Sequence, residues 1–187
     1  MQYGAPRILA VCTGNICRSP AIERVFRSRL GQEALVASAG TGAMIGSPIA
    51  PDMSELLDRV NVPTANFQAR QLTAPLIDGA DLIITATVEH RAKVVDLQPK
   101  AMHKTFTLLE FAIPLSVLDL GEIAHLSIEE RLEPLADYVK SSRPKMRLTD
   151  KQLDVPDPYG HGEDVYITAF TLIYQAVTTI THVLTAK

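Results

Sequence analysis

The sequence predicts one α/β domain of three layers, a parallel sheet with helices on both faces, and three observations carry that expectation. Short apolar runs alternate along the chain with stretches of helical spacing, the pattern that builds a parallel sheet covered on both sides. The 187 residues, 47% of them apolar, suffice for one full core and do not require two. Neither an internal repeat nor a low-complexity tract breaks the pattern.

The first apolar run, Arg7–Cys12, is strand-sized and stops at Thr13-Gly14-Asn15. Pro20 then stands at the start of a helical pattern that runs to about Leu30. Residues 35–38 form a second strand ending in Ala39-Gly40-Thr41-Gly42, and residues 52–60 form a helix with Met53, Leu56, Leu57 and Val60 on one face. A third strand follows at 81–85. The next helix, Val88–Leu97, aligns Val88, Ala92 and Val95, and a short fourth strand covers 104–108.

Ser127-Ile128-Glu129-Glu130 is a capping-box pattern that opens a helix over about 128–141, with Ile128, Leu132, Leu135 and Val139 on one face. The basic run Arg143 to Arg147 reads as a solvated loop, the alternative being an element that attracts an anionic protein substrate or covers the cleft. Residues 163–186 place Val165, Ala169, Leu172, Ile173, Ala176, Val177, Ile180 and Leu184 at helical intervals, and this period outweighs their β-branching.

Composition excludes several classes. With 18 basic and 21 acidic residues the net charge of -3 favours neither nucleic acid nor an anionic membrane, so the partner has to be read from a site. Residues 1–6 lack the basic start and long apolar stretch of an export signal. The uncharged stretch 34–51 is broken by Gly40, Gly42, Gly46, Pro48 and Pro51, so no membrane span is expected there. Two cysteines are too few for a secreted disulfide framework and point to a cytoplasmic chain with reduced thiols. They form no second pair and the five histidines are scattered, so neither a metal site nor a cofactor is expected.

The segment from Cys12 to Pro20 carries the chemistry. Between a strand and a helix, a short loop aims backbone N–H groups at one spot that suits an oxyanion. The same groups stabilise a thiolate at Cys12 and make it a nucleophile. Arg18 adds a planar, always charged fork able to hold two equatorial phosphate oxygens. Gly14 permits a backbone conformation that a Cβ penalises, and Asn15 tolerates the left-handed region while offering side-chain hydrogen bonds. Ser19 stands where its hydroxyl can donate to the Cys12 sulfur.

This run, Cys-(x)5-Arg-Ser-Pro after a short amino-terminal strand, resembles the low-molecular-weight protein tyrosine phosphatases. Ser38-Ala39-Gly40-Thr41 and Asp157-Pro158-Tyr159 match that family in order, as do Gln68 to Leu72 and Asp81 to His90; residues 113–153 are an extra segment. The style of the run Thr105 to Phe111 looks like actinobacterial members. The resemblance implies a four-stranded sheet of order 2-1-3-4 and a phosphate cradle of Thr13, Gly14, Asn15, Ile16, Cys17 and Ser19. It further implies that Ser38 supports the loop through Asn15, that Asp157 is the general acid, and that Tyr159 lines the cleft. The implied reaction is hydrolysis of protein phosphotyrosine through a cysteinyl phosphate on Cys12, releasing inorganic phosphate without a metal.

Other readings stand beside this one. Cys17 is either a small core residue or a resolving thiol that traps oxidised Cys12. His90 and His161 read as surface or structural histidines, and Gly160 stands where many relatives carry a second aromatic residue. An arsenate reductase shares the fold and loop; this chain lacks the distal cysteines of the relay, which leaves a version using an external thiol. Thr13 resembles both the reductases and an arginine-phosphate branch, whereas Ile16 points to phosphotyrosine. A phosphate-binding domain without catalysis is disfavoured by the presence of Cys12, Arg18, Ser19 and Asp157 together.

Overall fold

Strand β1 (Arg7–Cys12) is the sheet's inner rail, and every residue of it after Arg7 is buried. In the computed structural model, which describes residues 5–121 and 123–186, it pairs in parallel with β2 (Leu35–Gly40) on one side and β3 (Leu82–Thr85) on the other. The amino terminus read above, up to Gly4, lies outside the described residues. Strand β4 (Thr105–Thr107) pairs in parallel with β3, completing the expected order β2-β1-β3-β4. A strand buried on both faces needs apolar side chains at successive positions, hence the continuous run Ile8 to Val11.

Alternate residues of that run serve different cores. Ile8 and Ala10 join the larger one, against α1 (Arg18–Leu30), α2 (Pro51–Arg59), α5 (Leu108–Leu115), α6 (Ile128–Met146) and α8 (Glu163–Thr185). Leu9 and Val11 face the smaller one, closed by α3 (Ala74–Asp78), α4 (Val88–Leu97) and the 3-10 turn Pro99–Lys104. The short α7 (Asp150–Leu153) leads into the loop before α8. Helix α8 contributes Ala169, Ile173, Val177 and Ile180, all fully buried, and packs on α1 and α5.

Several elements differ from the sequence reading. Strand β2 continues through Gly40, and α1 begins at Arg18 rather than Pro20. Helix α5 was not expected. Thr107, the last residue of β4, is its N-cap: Thr107 Oγ1 accepts from the Glu110 N–H and Glu110 accepts from the Thr107 N–H, both at 3.1 Å, so strand passes to helix without a loop. Pro114 near its end masks the helical pattern.

The basic run is not a solvated loop but the last turn of α6, followed by Arg147 in the left-handed conformation. Arg143 pairs with the buried Glu110 at 2.5 Å and lies over the Phe106 ring, an anchor that holds the helix through Pro144. Arg91 Nη1 bridges both oxygens of the same carboxylate, 2.9 Å from Oε1 and 2.8 Å from Oε2.

Helix α4 turns a different face inward from the one its aliphatic spacing suggests: Ala92 is exposed, while His90 and Val94 are buried. His90 is therefore not a surface histidine. Its ring and N–H both meet Thr87 Oγ1, the N-cap of α4. Burial, reinforced by the nearby Arg18, pushes its imidazole down to about 4.

Arg131 joins α6 to the end of α8. Only 3% exposed, its guanidinium donates to the carbonyls of Ala124, Leu126, Val183 and Ala186 at 2.6 to 2.9 Å, placing a cation at the negative end of the α8 dipole.

Removing this cation leaves the buried Val183 carbonyl and three part-buried ones without their donor, so Arg131→Ala is expected to lower unfolding free energy by about 2–4 kcal/mol, measured by urea denaturation. His90 supplies a pH dependence. With the folded value near 4 and the unfolded value near 6.5, the unfolded chain binds the proton first, so the stability due to neutral burial is present above 6.5 and lost as pH falls toward 4. Between pH 7 and pH 5 this amounts to about 2 kcal/mol, and the difference is expected to vanish in His90→Gln.

Candidate active site

The loop between β1 and α1 is held from outside by its carbonyls. Those of Cys12, Thr13, Gly14 and Ile16 accept from the N–H groups of Thr41, Gly42, Met44 and Ala50 at 2.8 to 3.1 Å. A trans peptide points its C=O and N–H in opposite directions, and no cis bond occurs among the described residues. The N–H groups of Thr13, Gly14, Asn15 and Cys17 are thereby turned away from that outer segment and toward the loop interior, as an anion site requires. The two segments approach so closely that a Cβ on Gly40 would sit 2.3 Å from the Thr13 carbonyl oxygen; only glycine fits there.

Asn15 locks the loop from within. Its φ is 55°, and its amide is fully used: Oδ1 accepts from the Arg70 N–H, and Nδ2 donates to both Ser19 Oγ and Ser38 Oγ, each at 2.9 Å. Ser38 Oγ passes its own hydrogen to Glu23 Oε2 at 2.6 Å, and Arg70 Nε donates to the Ser38 carbonyl. Ser19 Oγ, already an acceptor from Asn15, lies 2.9 Å from Cys12 Sγ and is left to donate to it. The hydrogen bonds thus radiate from Asn15, one branch ending on the Glu23 carboxylate and the other on the Cys12 sulfur.

Arg18 opens α1 with its guanidinium buried beneath the cleft. Nη2 meets Asp157 Oδ2 at 2.5 Å, Nη1 donates to the Val155 carbonyl at 3.2 Å, and the buried Nε has no protein partner among the described residues. Asp157 is half exposed, and its Oδ1 accepts from the Tyr159 N–H, the Asx turn that aims the carboxyl. Two bonds hold this loop to the junction between β3 and α4: Val155 N–H to the Ala86 carbonyl at 2.8 Å, and Val88 N–H to Asp154 Oδ1 at 2.7 Å.

Cys12, Thr13, Ile16, Met44, Asp157 and Tyr159 line a cleft of about 210 Å³, with Gly14, Cys17, Arg18 and Gly42 completing it. Asn15, Ser19 and Ser38 stand behind its wall. Exposed Met44 and Tyr159 form an apolar rim over a floor carrying the sulfur and the guanidinium. Cys17 Sγ contacts the Tyr166 hydroxyl at 3.8 Å, and burial pushes its thiol up to about 11, so it is protonated and a weak nucleophile in this conformation. His161 is exposed.

Sequence reasoning missed Glu23 and the inward role of His90. Glu23 follows Ser19 by one helical turn, between the buried Ile22 and Phe26, and a carboxylate on that face was the available signal. His90 directs Nε2 at Thr13 Oγ1, 2.8 Å away; its only sequence sign is the Thr87 N-cap that sets its turn.

The family model for low molecular weight phosphotyrosine protein phosphatase matches residues 7–121. The probable low molecular weight protein-tyrosine-phosphatase EpsP of Ralstonia nicotianae is 31% identical over 140 residues, covering 75% of this chain and 95% of its own. The protein-arginine-phosphatase of Bacillus subtilis is also 31% identical, over 148 residues that cover 73% of this chain and 98% of its own. Among solved structures, Vibrio vulnificus Wzb in complex with benzylphosphonate superposes with a TM-score of 0.69 at 28% identity, covering 95% of this chain and 98% of that one. With the family match spanning more than half of its length, and a relative 31% identical aligned over 95% of its own, this chain belongs to the low molecular weight phosphotyrosine protein phosphatases.

Proposed function

We propose that the chain hydrolyses protein phosphotyrosine with Cys12 as nucleophile, Arg18 as phosphate clamp and Asp157 as general acid. The observation that carries this reading is the Arg18–Asp157 pair at 2.5 Å across a cleft that Cys12 floors, its sulfur 2.9 Å from the Ser19 hydroxyl. A phosphate dianion that takes over the guanidinium frees the carboxyl to face the leaving oxygen. The Cys12 thiolate then attacks phosphorus while Asp157 gives its proton to the phenolic oxygen, yielding the free phenol, a cysteinyl phosphate and the Asp157 carboxylate. Water, giving a proton back to that carboxylate, displaces the thiolate and releases inorganic phosphate. Arg18 and the inward loop amides stabilise charge on the equatorial oxygens in both steps, and Ser19 supports the sulfur as leaving group.

Thr13, Gly14, Asn15, Ile16, Cys17 and Ser19 make up the phosphate cradle, Ser38 supports it through Asn15, and Tyr159 packs its face on the substrate ring. The left-handed Gly160 adds no second wall. Residues 113–153 belong to the same domain, since their helices share the larger core with α8. Helix α8 is long and apolar enough to cross a membrane, yet its apolar side fills that core, which supports a core helix rather than a span. Two free cysteines support a reducing, cytoplasmic setting.

A second reading, phosphoarginine as substrate, draws on the arginine phosphatase relative and on Thr13; the aliphatic Ile16 on the cleft wall favours an aryl group. Assayed side by side, phosphotyrosine peptide is expected to be turned over in preference to phosphoarginine and arsenate, and a preference for either of those rejects the reading. Cys12→Ser is expected to abolish turnover, and Asp157→Ala to reduce kcat on a phosphotyrosine peptide on the order of 100-fold. Full activity in the Cys12→Ser protein would sink the assignment.

A further inference from the structure

The mechanism above gives His90 no role and leaves the side chain of Thr13 unexplained, although both belong to one hydrogen-bonded chain. Thr13 Oγ1 lies 2.8 Å from His90 Nε2, His90 Nδ1 lies 2.7 Å from Thr87 Oγ1, and Thr87 Oγ1 also accepts from the His90 N–H at 3.2 Å. The imidazole is neutral at pH 7: burial and the charges of Arg18 and Lys93 lower its proton affinity more than Glu89 and Asp157 raise it. One proton is therefore shared between two possible ring positions.

Hydrogen-bond satisfaction selects between them. With the proton on Nδ1, Thr87 Oγ1 would accept twice and its own hydrogen would find no acceptor among the described protein groups. With the proton on Nε2, Thr87 donates to Nδ1, and Nε2–H donates to Thr13 Oγ1. The chain then has one direction, Thr87 to His90 to Thr13. A hydroxyl that accepts from His90 keeps its own hydrogen free, and Thr13 borders the cleft. Its methyl lies on the Gly42 side, 3.9 Å from where a Cβ there would stand.

We propose that His90 is a positioning residue that fixes Thr13 as a hydrogen-bond donor into the cleft, where its hydroxyl binds the phosphoryl group of the substrate. This inference rests on the phosphatase reading. Thr13 thereby becomes part of the anion site through its side chain as well as its backbone, and its identity is explained without a change of substrate class.

Long-range 1H–15N NMR of the full-length protein at pH 7 is expected to show His90 protonated on Nε2; protonation on Nδ1 overturns the proposal. With p-nitrophenyl phosphate, Thr13→Val is expected to raise both KM and the inhibition constant of inorganic phosphate about tenfold while kcat stays within about twofold. Thr13→Ser is expected to restore both. His90→Ala should act alike, and the double variant should lose no more than Thr13→Val alone. Because Thr13 is exposed, Thr13→Val tests the idea even where His90→Ala fails to fold. An active wild type with unchanged constants in Thr13→Val, or losses that multiply in the double variant, overturns this inference alone; a wild type inert toward the aryl phosphate overturns the phosphatase reading itself.

Discussion

The cleft depends on the side-chain amide of Asn15. A left-handed non-glycine residue is disfavoured by its own sterics, and it persists here because its amide oxygen and both amide hydrogens are occupied. Those three bonds join the loop to β2 through Ser38, to α1 through Ser19, and to the Gln68–Leu72 region through the Arg70 backbone. If the amide is replaced, the left-handed turn loses its support, and Ser19 is no longer committed to donating toward the sulfur. A partly satisfied buried network costs more than an apolar substitute, so this constellation has to be complete to be stable.

Glu23 gives the network an electrostatic floor. It is 5% exposed, and Arg27 at 3.2 Å and, more distantly, Arg24 face its Oε1 while Ser38 engages Oε2. The carboxylate thus orients Ser38 as an acceptor for Asn15. The nucleophile, by contrast, meets the neutral Ser19 hydroxyl, and Arg18 is the one cation among the described residues that line its cleft.

Much of this was legible in the sequence because strand, loop and helix announce themselves through local chemistry. The buried strands read as apolar runs, the Cys12 to Pro20 loop as a phosphate cradle, and α8 as a helix despite its β-branched residues. What escaped is non-local. Helix α5 begins without any connecting loop, so its capping box lay inside what read as a strand end. The last turn of α6 contains Pro144 and a cluster of cations, both marks of a loop. Only the fold shows Glu110 waiting 33 positions upstream for Arg143. In α4 the aliphatic spacing predicted one face and the histidine occupied another, because two threonines, one at the helix cap and one in the cleft, satisfy a buried ring that otherwise belongs outside.

The segment that anchors the phosphate loop works almost entirely through its backbone. Thr41, Gly42, Met44 and Ala50 offer N–H groups, which any residue but proline supplies, while the close approach at Gly40 and the left-handed backbone of Gly46 constrain those two positions. The side chains of Met44 and Ile45 are exposed at the mouth of the cleft or beside it and take no part in the anchoring. Chemistry and selectivity are therefore encoded in separable parts of one short segment. Drift at the mouth alters which phosphoproteins enter while the machinery beneath keeps its shape.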